Sequence, residues 1–234
     1  MPNVYRLRRL VTVSLILIIL IAVLIMNFSN NTLTQKINTK IHTAVSNGSL
    51  AIDELQKLAI KGRAPKTGYT RAQFGDGWTT TKGCDTRNII LHRDLTDTQV
   101  DQKCDVVSGT LNDPYTGKTI NFVWGGTTSA DVQIDHVVAL SDAWQKGAQQ
   151  MTKNQRITLA NDPLELLAVD GPANQQKSDG DAATWLPFYK PFRCQYVARQ
   201  IAVKQKYALW VTQAEKDAMS SILSTCATQM LPSK

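Results

Sequence analysis

The sequence has few of the side chains that hold structural zinc. It contains three histidines and four cysteines, and no Cys-x-x-Cys pair. Structural zinc sites usually combine cysteines and histidines at short, repeated spacings, so a zinc site is a weak interpretation of this chain. The sequence also lacks an internal repeat, and the polar stretch near its start is the nearest approach to low complexity. These absences argue against a zinc-stabilised module and against a repeat protein.

One long apolar run is present, and it lies near the N-terminus. Arg6, Arg8 and Arg9 precede a run of seventeen residues from Leu10 to Met26. A basic segment followed by such a run predicts export through a membrane. The run is at the lower limit for a spanning helix and long for a signal peptide, and no Ala-x-Ala site follows it. An uncleaved signal-anchor and a cleaved signal peptide therefore both stay open. An anchor would leave the arginines inside and the rest of the chain outside.

All the cysteines follow this segment, at positions 84, 104, 194 and 226. An even number of cysteines in an exported chain predicts two disulfides. Three pairings are possible. We expect Cys84 to pair with Cys104 and Cys194 to pair with Cys226, because each of these pairs flanks one local unit.

The chain is mildly basic. Its formal net charge is +7, and the three N-terminal arginines account for part of it, so about +4 remains on the exported part. A positive surface permits contact with a polyanion such as nucleic acid but does not establish it.

Composition predicts three segments. Residues 1–26 form the signal or anchor helix, residues 27–68 a stalk or linker, and residues 69–234 the folded domain. The stalk contains one short amphipathic helix, because apolar residues recur there at helical spacing. These residues are Ile52, Leu55, Leu58 and Ala59.

Within the domain, strands are predicted at residues 104–111, 119–124, 132–138 and 164–169. One helix is predicted at residues 141–149, and a second begins at the Thr152-to-Gln155 capping box and ends at Pro163. A short helix is predicted after Pro172, and two more are predicted at residues 191–207 and 212–225. Asp179 and Asp181 are expected to cap a further helix that starts near Ala182.

Asp135 and His136 are the pair of side chains that points to chemistry. Hydrolysis of a phosphodiester needs a base that deprotonates water and a cation that neutralises the departing oxygen. A neutral imidazole suits the first role, and a divalent ion held by oxygen ligands suits the second. His136 is then the general base, while Asp135 and Asn174 are metal ligands. Neighbouring strand residues point to opposite faces, so a bend is expected where Asp135 meets His136.

The same residues carry a family resemblance. Asp135-His136, then Leu164-Glu165-Leu166-Leu167, then Asn174-Gln175-Gln176-Lys177 resemble in order the HNH, or His-Me finger, nuclease motif. The longer stretch, roughly from Gly62 to Cys226, resembles the exported bacterial branch of that family, which is related to the GmrSD-type C-terminal nuclease domain. The resemblance implies an α+β fold, in which a small antiparallel sheet with a ββα-metal motif packs against several helices behind the N-terminal signal or membrane helix.

Further site residues follow from the resemblance or from charge. Asn161 is expected to orient the loop that holds His136, although the family places this asparagine where Pro163 stands. Lys177, Arg87 and Arg199 are candidate phosphate ligands. Each of these three cations could equally be an ordinary surface or structural side chain.

The sequence thus predicts an exported, metal-dependent endonuclease that acts on DNA with little sequence preference, with RNA left open as a substrate. Magnesium is the expected ion, because oxygen ligands and water suit a hard cation, and manganese, calcium and zinc stay open. We expect a monomer without a small-molecule cofactor, secreted or held on the outer face of the bacterial cytoplasmic membrane. The alternatives are a non-catalytic, membrane-anchored surface protein that binds DNA or wall polyanions, and a structural module that keeps the motif as a relic.

Overall fold

The computed structural model describes Met26, residues 49–125 and residues 128–232. The chain from Ser49 to Lys234 forms one compact unit. The apolar run of residues 10–26 lies outside the described residues except for Met26, and so does the predicted signal or anchor helix. Within the described ranges, no helix combines the length and the apolar character needed to cross a membrane.

The described chain has a mixed α+β architecture. Its helices are α1 (Ala51–Lys57), α2 (Thr86–Asp94), α3 (Leu140–Gln145), α4 (Lys153–Ala160), α5 (Gly171–Lys177), α6 (Arg193–Lys206) and α7 (Gln213–Ser224). Its strands are β1 (Thr80–Thr81), β2 (Cys84–Asp85), β3 (Thr96–Val100), β4 (Val106–Asn112), β5 (Thr119–Val123), β6 (Val132–His136) and β7 (Leu166–Asp170).

The strands form small antiparallel sheets. One pairs β1 with β2, a second has the order β3-β4-β5, and a third pairs β6 with β7. In the third sheet the register runs from Val132 opposite Asp170 to His136 opposite Leu166. Helices α3 and α4 lie in the connection between the two strands, and α5 begins directly after β7 and contacts both strands. This strand pair and the helix behind it carry Asp135, His136 and Asn174.

Local signals explain why the chain folds this way around α5. The Asp170 side chain caps α5 by accepting a hydrogen bond from the backbone N–H of Ala173, and Pro172 occupies the first turn. Strand β7 is buried on both faces, because Leu166 belongs to one hydrophobic cluster and Leu167 to the other. A strand covered on both faces reads as a continuous apolar run, which is the Leu-rich pattern seen in the sequence.

Helix α1 belongs to the larger of the two cores. It packs against α6 and α7, and its Ala51 and Leu55 side chains are fully buried there. The short helix expected in the stalk therefore forms, but it contributes to the core of the folded unit. The sequence assigns this helix to the stalk and not to the domain, because most residues of the helix and its flanks are polar and only one face of the helix is apolar.

Buried charges join α3, α6 and α7 to the loop after α5. Lys146 contacts three carboxylates, with the Asp181 distance at 2.8 Å and the Glu215 distance at 2.6 Å, and it is fully buried. The charge cluster consists of five buried side chains and the exposed Arg63, which is paired with two of them; the buried members are Asp142, Lys146, Asp181, Lys204 and Glu215. Asp181 is held in this cluster, and turns follow it in place of the helix predicted near Ala182.

Two disulfides brace the unit, and they have the pairing expected from the sequence. Cys84 at β2 is bonded to Cys104 just before β4. Cys194 in the first turn of α6 is bonded to Cys226 just after α7. Each bond closes a loop around one local unit, so each restricts the unfolded chain and thereby stabilises the fold.

Candidate active site

A cleft opens beside β6 and α5. Its volume is about 560 Å³, and it is lined by Asp135, His136 and Asn174 together with residues of the segment before β1. A smaller cavity of about 210 Å³ shares His136, Arg71 and other residues with the cleft. His136 therefore lies where the two spaces meet.

The His136 ring is held in one orientation. Its Nε2 atom lies 3.0 Å from the carbonyl oxygen of Ala160 at the end of α4. A carbonyl oxygen can only accept a hydrogen bond, so Nε2 carries the proton and Nδ1 has the lone pair. Trp78 stacks on the ring with 5.7 Å between the centroids and 10° between the planes. The imidazole is thus positioned as a neutral group with one nitrogen able to accept a proton.

Electrostatics also favour the neutral ring. The pKa of His136 is lowered to about 3, mainly by burial and also by the positive charges of Arg71 and Lys177, while the Ala160 carbonyl opposes these effects. A general base must be unprotonated before it acts, and this one is unprotonated at neutral pH. A phosphate bound in the cleft would raise the pKa of the ring, because a nearby negative charge favours imidazolium.

Asp135 lies beside His136 but is bonded to different partners. Its Oδ1 atom accepts a hydrogen bond from Lys177 Nζ at 2.8 Å, and its Oδ2 atom accepts one from the Tyr115 hydroxyl. Lys177 Nζ also donates to the backbone carbonyl of His136 at 2.8 Å. Burial raises the pKa of Asp135, and the Lys177 pair only partly offsets this effect. One buried ion pair therefore ties the end of α5 to β6.

Asn174, on α5, also lines the cleft. Its Nδ2 atom donates to Gln133 Oε1 at 2.9 Å, which fixes the orientation of the amide. Because the bond to Gln133 uses an N–H group, the oxygen of Asn174 keeps its capacity to bind a cation.

Several side chains with oxygen donors line the cleft. They belong to Asp135, Asn174, Ser141 and Asp179. Across the described ranges of the chain, no group of three or more His, Cys, Asp or Glu side chains is arranged to hold a metal. An ion held by Asp135 and Asn174 would therefore take its other ligands from water and substrate, which is the usual way that Mg²⁺ binds.

Basic side chains line the cleft as well. They are Lys66, Arg71 and Arg87. Lys66 is paired with Asp179 at 3.1 Å, and Arg87 donates to the Val132 carbonyl at 3.4 Å. Arg71 is exposed and forms no ion pair within the described part of the chain. The sequence does not predict Arg71 as a site residue, because Arg71 lies in a 3-10 turn that is far from β6 in the chain and reaches the cleft only in the folded protein.

The other two predicted phosphate ligands have different surroundings. Arg199 donates to the carbonyls of Leu164 at 2.7 Å and Pro163 at 3.0 Å, and it is not among the residues lining the cleft. Lys177 is buried in its pair with Asp135. A phosphate role for either side chain stays a prediction, and it would require these bonds to break.

Asn161 stands next to Ala160, the residue whose carbonyl holds His136. Its side-chain oxygen accepts a hydrogen bond from the backbone N–H of Thr79 at 2.9 Å, and its side-chain nitrogen donates to the Ile157 carbonyl at 3.0 Å. These bonds tie the loop that carries Trp78 to the end of α4. Asn161 thus reaches His136 through its neighbours, by way of the stacked Trp78 ring and the Ala160 carbonyl.

Glu165 fixes the backbone that follows His136. Its carbonyl accepts a hydrogen bond from the N–H of Val137 at 2.8 Å, and its Oε2 atom accepts one from the N–H of Val138 at 3.2 Å. Burial raises the pKa of Glu165 well above its usual range, and within the described chain Oε1 has no hydrogen-bond partner. The sequence does not predict that Glu165 holds this backbone, because Glu165 is only a single polar residue within an apolar run.

Comparisons with known proteins place the chain in a family. Residues 85–222 match the C-terminal domain of GmrSD restriction endonucleases. An uncharacterized secreted protein of Arthroderma benhamiae (strain ATCC MYA-4681 / CBS 112371) is 41% identical over 185 residues, which cover 78% of this chain and 87% of that protein. A comparison with solved structures gave no match. The family match spans more than half of the chain and includes α5, both strands of the third sheet and the Asp-His pair. The chain therefore belongs to the family of the GmrSD restriction endonuclease C-terminal domain, which confirms the resemblance noted in its sequence.

Proposed function

We propose that this protein is an exported, metal-dependent endonuclease of the HNH type that hydrolyses phosphodiester bonds in DNA. The observation that carries the proposal is the position of the His136 ring, bonded to the Ala160 carbonyl, at the junction of a cleft that also contains the oxygen donors of Asp135 and Asn174. Membership of a restriction endonuclease domain family supports a nuclease-type function in general.

The order of elements supports the HNH assignment. In that motif an antiparallel strand pair and a following helix hold the base and the metal ligands. Here β6 carries Asp135 and His136, β7 pairs with it, and α5 carries Asn174. We infer that these three elements are the ββα-metal motif, with α3 and α4 inserted between its strands.

The proposed reaction uses groups on opposite sides of the scissile phosphate. Nδ1 of His136 accepts the proton of the attacking water, while the bond from Nε2 to the Ala160 carbonyl keeps the ring in place. Arg71 and Arg87 bind the phosphate oxygens and draw the substrate into the cleft. Asp135 and Asn174 would hold a divalent ion, with magnesium preferred, and the ion would supply the positive charge that neutralises the departing oxygen.

Export is part of the proposal. The basic and apolar N-terminal segment, the two disulfides and the similarity to a secreted Arthroderma protein all support a protein that acts outside the cytoplasm. The segment would serve as a cleaved signal peptide or as an anchor in the membrane.

A second candidate is a non-catalytic protein that binds DNA or another polyanion. The three basic side chains of the cleft favour it, because phosphate contacts alone give sequence-independent binding. Such a protein would retain DNA without cleaving it.

Incubation of the purified protein with supercoiled plasmid separates the two candidates. With MgCl₂ we expect nicked and linear products, no products in the presence of EDTA, and recovery when excess MgCl₂ is added back. The same assay with MnCl₂, CaCl₂ and ZnCl₂ ranks the ions. Plasmid that is bound but stays intact with every ion would contradict the endonuclease and favour the binding protein.

A further inference from the structure

We propose that Lys177 is an internal counter-cation for Asp135, and that a divalent ion must displace its ammonium group from the carboxylate in order to bind. The inference rests on the proposed function only in taking Asp135 as a metal ligand. It assigns to Lys177 a control over metal affinity, which differs from the phosphate contact expected from the sequence.

The pair is complete without a metal. Lys177 Nζ is fully buried and lies 2.8 Å from Asp135 Oδ1 and 2.8 Å from the His136 carbonyl. The Tyr115 hydroxyl bonds the other carboxylate oxygen. The negative charge of Asp135 is therefore compensated inside the protein, and its removal from water is offset by one ammonium group and one hydroxyl.

A divalent ion would compete for the same oxygen. An ion that binds Asp135 from the cleft would lie within a few ångströms of Lys177 Nζ, and two cations at that separation repel strongly in a partly buried site. Lys177 is also close to Asn174, the second proposed metal ligand. The two residues are three positions apart on α5, so they lie next to each other on one face of the helix. Metal entry therefore requires the ammonium group to leave the carboxylate or to share it.

Another buried lysine provides a matched control. Lys204 is also fully buried, and it lies 3.0 Å from Glu215 and 3.5 Å from Asp142. Those carboxylates belong to the charge cluster and do not line the cleft. Loss of the Lys204 charge therefore removes an equally buried cation without exposing a carboxylate to the cleft.

The experiment compares the full-length wild type with Lys177→Gln, Lys177→Arg and Lys204→Gln. Binding of MgCl₂ and of MnCl₂ is measured by isothermal titration calorimetry, and thermal unfolding is followed by circular dichroism at several metal concentrations. Glutamine keeps an N–H group for Asp135 Oδ1 but has no charge. We expect Lys177→Gln to bind the ions at least about tenfold more tightly than wild type, because the competing charge is gone.

The thermal data test the same point by another route. Lys177→Gln should regain lost thermal stability as metal is added, whereas Lys177→Arg should bind metal as weakly as wild type. Lys204→Gln should lose stability without any gain in metal affinity. Equal metal affinity in wild type and Lys177→Gln would overturn the inference, and so would an equal gain in Lys204→Gln. A Lys177→Gln protein that stays unfolded at every metal concentration would overturn it too, because the ion would then have failed to replace the ammonium group.

These outcomes are separate from the fate of the proposed function. Tighter metal binding by Lys177→Gln, together with a wild type that never cleaves plasmid, would support the counter-cation and reject the nuclease. Cleavage by the wild type, together with no change in metal binding by Lys177→Gln, would reject the counter-cation alone.

Discussion

At the level of single residues, the sequence predicts His136 as the general base but does not predict the groups that hold its ring. The prediction depends on a local pattern, in which His136 follows an aspartate within an apolar run. Its hydrogen-bond acceptor Ala160 and its stacking partner Trp78 come from segments far away in the chain. Their roles depend on tertiary packing, so no pattern around His136 could have predicted them.

Removal of the Arg71 side chain should weaken plasmid cleavage. Its side chain lines both spaces that meet at His136, and it is exposed. Arg71→Ala should lower kcat/KM for plasmid cleavage by about 10²-fold, because a charged donor to the phosphate is lost. Its Tm should stay close to that of wild type.

Arg199→Ala is the matched control for Arg71→Ala. Arg199 supports the loop before β7 through two carbonyls, so its loss should lower the Tm and leave cleavage at low temperature nearly unchanged. A loss of cleavage as large as that of Arg71→Ala would instead support the phosphate role predicted from the sequence. Equal activity of Arg71→Ala and wild type would exclude Arg71 from substrate binding.

The pKa of His136 gives a prediction about pH and stability. Its folded pKa is about 3, whereas a free histidine titrates near 6.5. Between these values the unfolded chain binds a proton that the folded protein does not bind. The stabilising contribution of the neutral ring is therefore full above about pH 6.5 and is lost as the pH falls toward about 3.

Urea unfolding at a series of pH values checks this effect. His136→Gln cannot titrate, so its free energy of unfolding should fall less than that of wild type as the solution is acidified. His92→Gln serves as a control, because His92 is exposed and only bonds to Thr98. Parallel curves for wild type and His136→Gln would contradict the low pKa.

At the scale of elements, local signals predicted those parts that carry their own caps and turns. The capping box of Thr152 and Gln155 opens α4 as predicted, and α5 begins at its cap with Pro172 in the first turn. Other elements carry weaker signals. Strand β3 is polar and mostly exposed, so its pairing with β4 defines it and the sequence did not predict it. The turn after Asp181 was also missed, since that carboxylate is bonded to distant lysine and arginine side chains.

Glu165 gives the prediction at this scale, because it joins β7 to the backbone that leaves β6. Its raised pKa means that the folded state holds a proton more tightly than the unfolded state. The resulting stabilisation is full below the usual glutamate pKa and is lost as the pH rises through the raised value. Glu165→Gln keeps an acceptor for Val138 and cannot ionise, so it should become increasingly more stable than wild type as the pH rises.

Glu165→Ala should behave differently from Glu165→Gln. It leaves the Val138 N–H without its partner and opens a cavity, which should cost about 2–4 kcal/mol of unfolding free energy at neutral pH. Chemical denaturation of both variants across a pH series measures the two effects. A Glu165→Gln protein with the same pH dependence as wild type would mean that Glu165 is ionised in the folded state.

At the scale of the whole molecule, the sequence predicted an α+β protein with two disulfides, and the structure has both. It did not predict that α1 would enter the main core, or that five charged side chains would be buried together with the exposed Arg63 paired to two of them. Both features arise from contacts between segments that are distant in the chain, such as Arg63 with Asp181. Composition records a charge or a polar stretch, but it does not record which of these groups are buried.

The disulfides give the prediction at this scale. The bond between Cys194 and Cys226 joins α6 to the end of α7 across a sequence separation of 32 residues. Cys194→Ser/Cys226→Ser should lower the free energy of unfolding by about 2–4 kcal/mol, because the unfolded chain regains conformational freedom. Denaturant unfolding measures the loss. Below the Tm of the variant, plasmid cleavage should match wild type, since neither cysteine lines the cleft.

The role of His136 as general base is tested by the initial rate of plasmid cleavage by wild type and His136→Gln at neutral pH with MgCl₂. DNA binding is measured in parallel by fluorescence anisotropy. We predict that the variant binds DNA as wild type does and cleaves it about 10²–10⁴-fold more slowly, because the base that accepts the proton of water is gone. Cleavage by His136→Gln at the wild-type rate would contradict the account.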